Sequence, residues 1–105
     1  MRLFVDHARQ APKGWHGTKS VATAVNLLNS PGPENRVEAL SIPHRLSAVE
    51  SPLNLVDWMI QNKVCPPKVY IHSKVEGSAP TEMARRLKYA FPDREIFEEE
   101  PPEAE

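Results

Sequence analysis

The chain has 105 residues, 40% hydrophobic and 26% charged, with a formal net charge of −1. That composition supports one packed domain and excludes wholesale disorder, and no apolar run approaches the roughly 18–20 residues that span a bilayer. The lone cysteine, Cys65, makes neither an internal disulfide nor a cysteine-built zinc site, and residues 1–6 lack the apolar stretch of a secretory signal, so the expected location is cytoplasmic.

Residues 2–6 (Arg-Leu-Phe-Val-Asp) read as a buried strand with its C-terminal end at Asp6. Residues 7–19 read as a loop, punctuated by Pro12, Gly14 and Gly17. Ser20 then suits an N-cap for a helix to about Asn29. Its inward face is Val21, Ala24, Val25 and Leu28, spaced i, i+3, i+4, i+7. The stretch from Ser30 to Pro33 must stop that helix. Val37 to Ile42 is the second predicted strand, ended by Pro43. Ser51 followed by Pro52 is a strong helix start, and that helix runs to about Asn62 with Leu55, Val56, Met59 and Ile60 inward. Cys65-Pro66-Pro67 breaks the chain before a third strand, Lys68 to His72. Ser78 and Pro80 are expected to open a third helix that buries Met83 and Leu87. Residues 94–97 read as a short edge strand or as part of the tail.

Charge is unevenly placed. Residues 93–105 hold seven acids and one base, a net of −6, which leaves +5 on residues 1–92. The sequence therefore predicts one domain over 1–92 and an acidic Glu/Pro-rich tail over 93–105, expected to be disordered. Such a tail either stays solvated or shields a basic, anion-binding face.

Strand and helix alternate three times, which implies an α/β domain with parallel strands and right-handed crossovers. Ligands of such sheets bind beyond the C-terminal strand ends. Three of the four histidines, His7, His44 and His72, fall there, with Asp6, Arg9, Arg45, Ser73 and Lys74 beside them. They converge only if the three strands are adjacent, in an order such as second-first-third. One acid, three cations and three imidazoles suit an anion, most simply a phosphate, and arginine offers it a bidentate fork. The alternative is that each histidine simply bonds a backbone carbonyl. A metal site from the imidazoles and Asp6 is a further reading, but Arg9, Arg45 and Lys74 would crowd a dication, so neither metal nor cofactor is expected. General acid–base catalysis by His44 and His72 on a phosphoester needs no metal. Two Trp, two Tyr and three Phe form no stacking pattern, which argues against a nucleic-acid partner. Trp15 and Trp58 read as packing residues.

Four colinear segments carry a resemblance: Asp6-His-Ala-Arg9 with Pro12-Lys-Gly-Trp15, Leu40 through Leu46, Ile71-His-Ser73, and Met83. Together they resemble the cyclic-phosphate-processing receiver-like domains over about residues 2–90. Asp6, Arg9, Pro12, Trp15, Ser41, His44, Leu46, His72, Ser73 and Met83 agree with the family pattern. The departures are His7 for an Asp, Ala8 for a Glu, Pro43 for the receiver phospho-acceptor Asp, Arg45 for an Asp, Ser47 for a Gly and Val75 for an Asn. The resemblance implies a small three-layer receiver-like (flavodoxin-like) fold, with a parallel sheet of three to four strands and three helices. Pro43 cannot accept a phosphoryl group, and magnesium prefers carboxylates, of which only Asp6 remains. The expected function is a degenerate receiver-like domain: a non-catalytic binding or regulatory module for a phosphorylated ligand or a protein partner. The phosphate ligands would be Asp6, His7, Arg9, Arg45, Ser73 and Lys74. The alternative is a metal-independent cyclic phosphodiesterase using His44 and His72.

Overall fold

The computed structural model describes residues 1–29, 36–43, 51–72 and 81–103. In chain order these form β1 (Arg2–Val5), β2 (His16–Thr18), α1 (Val21–Leu28), β3 (Ala39–Pro43), α2 (Pro52–Asn62), β4 (Lys68–His72), α3 (Glu82–Ala90) and β5 (Glu95–Phe97). The five strands make one sheet in the order β2-β1-β3-β4-β5. Every neighbouring pair is parallel. The architecture is thus α/β and receiver-like, with one or two more strands than the sequence predicts.

Local chemistry sets the helix starts. The Ser20 hydroxyl accepts from the Thr23 N–H, and the Ser51 hydroxyl accepts from the Leu53 N–H with Pro52 at the first helical position. The third helix begins later than the sequence suggests, because Thr81, not Ser78, caps it through Ala84 N–H. Glu82 in its first turn and Lys88 in its last both match the helix dipole.

Strand alternation gives the sheet two different faces. On one, Leu3, Val5, Leu40, Ile42, Val69 and Ile71 are all fully buried. They pack into a single cluster with Ala24, Leu55, Val56, Met59, Met83 and Leu87 from all three helices. Trp58 and Phe91 lie partly buried against that cluster. On the other face, Phe4, Ala39 and Tyr70 cluster with Trp15 of the loop after β1, with Ala11 and Phe97 against them. This third layer is built of irregular chain: the 6–15 loop and the segment after β5.

Two expectations change and one open alternative is decided. The loop read over 7–19 contains a strand, since 16–18 pairs alongside β1. The expected strand order also differs: the first, second and third predicted strands lie as β1-β3-β4, because β2 takes the outer side of β1. Finally, of the two readings of residues 94–97, the edge strand is the one formed. Residues 95–97 pair with β4 as its outer neighbour, Pro101 is buried, and the Trp15 indole Nε1–H donates to the Pro102 carbonyl at 2.7 Å. The composition reads as solvated, but two prolines and a phenylalanine find an aromatic face to cover.

Candidate functional site

The face opposite the three helices carries polar groups at its C-terminal edge. Phe4 is level with Ser41, and Ser41 with Tyr70; Pro43 is level with His72. Continuing the β1–β3 register brings Asp6 level with Pro43. The His72 ring therefore spans β3 to reach Asp6. Its Nε2 lies 2.9 Å from Asp6 Oδ2, and its Nδ1 lies 2.6 Å from Ser41 Oγ. Phe4 stacks on the same ring, with centroids 4.3 Å apart and planes 13° apart. His72 and Ser41 are fully buried and Asp6 is 7% exposed.

The donor roles follow from the partners. An ionised carboxylate only accepts, so Nε2 carries the proton and donates to Asp6; Nδ1 then accepts from the Ser41 hydroxyl. Burial pushes the His72 pKa down, against the upward pull of Asp6, so the ring is neutral. Asp6 is held below the usual carboxylate value. Burial works to raise it, but N–H bonds from Ala8 and Arg9 and the contact with His72 outweigh that. Its Oδ1 accepts both N–H groups, at 2.9 and 3.1 Å. Asp6 thus shapes the start of the loop and fixes where Arg9 leaves the sheet.

Arg9 runs back over the face. Its guanidinium sits 5.5 Å from the Phe4 ring centroid and pairs with Glu100 at 2.9 Å. Glu98 accepts from the Thr81 N–H at 2.6 Å. At the other end of the loop, Trp15 N–H bonds the Pro12 carbonyl, and Gly14 sits at φ 85°. That is the third position of a type II turn, where glycine is favoured. The turn sets Trp15 edge-on to Tyr70, 6.0 Å between centroids.

Of the expected site residues, Asp6, Arg9 and His72 come together, but Asp6 and His72 bond each other rather than face outward. His7 is exposed on the loop beside them. His44, Arg45, Ser73 and Lys74 lie outside the described residues. Among the described residues there is no group of three or more His, Cys, Asp or Glu placed to hold a metal ion. Nor is any helix there long and apolar enough to cross a membrane. Ser41 is not among the expected site residues, though it belongs to the motif. The available signal is a single hydroxyl inside the apolar run from Ala39 to Ile42, which must find a buried partner.

A model of the cyclic-phosphate processing receiver domain matches residues 1–88. No curated protein and no solved structure matches the chain. The family match spans the sheet as far as β4 and all but the end of α3, and takes in Asp6, Ser41 and His72; the chain belongs to the cyclic-phosphate processing receiver domain family.

Proposed function

We propose that this chain is a non-catalytic receiver-like module that binds a phosphorylated ligand at the C-terminal edge of its sheet. The observation that carries the reading is the Ser41–His72–Asp6 chain: both ring nitrogens of His72 are bonded inside the protein. A general acid or base must exchange its proton with substrate, and a fully buried ring with both nitrogens engaged does not offer one. The residue at the position of the receiver phospho-acceptor is Pro43, which has no group to phosphorylate. The remaining strand-end residues, His7, Arg9, Arg45, Ser73 and Lys74, supply cations and a hydroxyl suited to a phosphate. The protein then works as a regulatory binder, in the cytoplasm, without metal or cofactor.

The family's description, cyclic-phosphate processing, favours a second reading: a metal-independent cyclic phosphodiesterase using the His44 and His72 pair. Phosphorus NMR of a nucleoside 2′,3′-cyclic phosphate with the protein in EDTA separates the two. The binding reading expects the ligand resonance to shift or broaden without a new phosphomonoester signal, and Arg45→Ala to weaken the effect about tenfold, the scale of one charge-assisted contact. A phosphomonoester resonance that disappears with His44→Ala would establish the enzyme instead. An unchanged spectrum would reject this ligand for both.

A further inference from the structure

The face opposite the three helices is occupied by a segment of the chain itself. Glu100, Pro101 and Pro102 each meet it in a defined way, and Glu98 ties the segment to the N-cap of α3. Glu98 takes the Thr81 N–H, Glu100 pairs with Arg9, Pro101 is buried, and the Pro102 carbonyl accepts the Trp15 indole proton. An indole N–H bonded to the carbonyl of a proline pair, on a floor of stacked aromatic rings, is how aromatic-lined grooves hold proline-rich peptides. Here the floor is Trp15, Tyr70 and Phe97, with Tyr70 and Phe97 stacked 4.9 Å apart. The contacts at the rim are exposed: the Arg9 and Glu100 side chains keep 45% and 56% of their surface in solvent. Such pairs hold weakly and are screened by salt.

Pro102 and Glu103 line a cavity of about 340 Å³ together with Trp15, Tyr70 and Ala39; Lys68 and the Arg2–Glu38 pair line it too. We propose that this face is a recognition surface for an acidic peptide containing a proline pair, and that residues 98–103 are its intramolecular occupant, displaced when such a partner binds. It shares only Arg9 with the strand-end phosphate site and does not depend on that reading.

The test uses the full chain and a synthetic peptide, Phe-Glu-Glu-Glu-Pro-Pro-Glu, the sequence of residues 97–103. The readout is the Trp15 indole N–H and the Ala8 and Arg9 amides by proton–nitrogen NMR. The tethered segment competes at an effective concentration near millimolar, so the unmodified chain binds the added peptide at least tenfold more weakly than the double variant Glu98→Gln, Glu100→Gln. The same peptide with Ala-Ala for Pro-Pro binds neither. Amides of Leu55 and Ile71 report that the fold is kept. Equal binding by both proteins, no binding by the double variant at millimolar peptide, or undiminished binding by Trp15→Phe would each overturn the proposal. So would fast solvent exchange of the Trp15 indole proton in the unmodified chain, a measurement that needs no variant.

Discussion

The two faces of one sheet are built on different principles. The helix-covered face is uniformly aliphatic, with residues from three strands and three helices in one buried cluster. The opposite face mixes aromatic rings with a serine, a histidine and an aspartate, and irregular chain covers it. The first face holds by area and shape, which tolerate many sequences of similar volume. The second holds only if each polar group finds its one partner, since an unmet buried donor or acceptor is costly. Of the residues that agree with the family pattern, Asp6, Ser41 and His72 lie on the second face, whereas Met83 packs on the first.

Substitutions should separate the faces. Leu40→Ala opens a cavity under the helices and should cost about 2–5 kcal/mol, without altering any ligand contact at the strand ends. Urea unfolding read against phosphate titration checks this; a loss below 1 kcal/mol would mean that the helix layer is loosely packed. On the other face, Ser41→Ala strands the His72 Nδ1 acceptor and should cost about 1–3 kcal/mol although the change removes a single oxygen. A neutral or stabilising result would show that the histidine has another partner.

Acid should act through the second face. The His72 pKa in the folded protein lies below its usual 6.5, so the unfolded chain takes up that proton first. Stability is full above about pH 6.5 and is lost as pH falls from there towards the folded value. Asp6, held below 3.8, adds a loss of the same sign at lower pH. Unfolding midpoints between pH 8 and pH 5 should therefore fall on acidification, and His72→Gln should flatten the upper part of that slope. A midpoint that rises with acid would contradict the buried neutral ring. Gly14→Ala is the mildest change. It forces a side chain into a φ of 85° and should cost about 1–2 kcal/mol while shifting the Trp15 indole resonance.

Much of the aliphatic face is legible in the sequence. Ser20, Ser51 and Pro52 mark helix starts by local chemistry, and Leu55, Val56 and Met59 repeat at helical spacing. The second face is less so. The strands at 16–18 and 95–97 are three residues long and carry no periodicity of their own; pairing with their neighbours makes them strands. His72 meets Ser41 and Asp6 because of register across three strands, which no local pattern encodes. Acids and prolines in 98–103 predict solvation, but Trp15, 87 residues away from Pro102, gives them somewhere to dock.

The central claim is that His72 is a neutral, internally bonded ring. Nitrogen-15 NMR of the histidine side chains over pH 5 to 8 tests it most directly. At neutral pH His72 is expected to carry its proton on Nε2, bonded to Asp6, with Nδ1 unprotonated. A His72 ring that gains a second proton near pH 6.5, or that carries its proton on Nδ1, would contradict it.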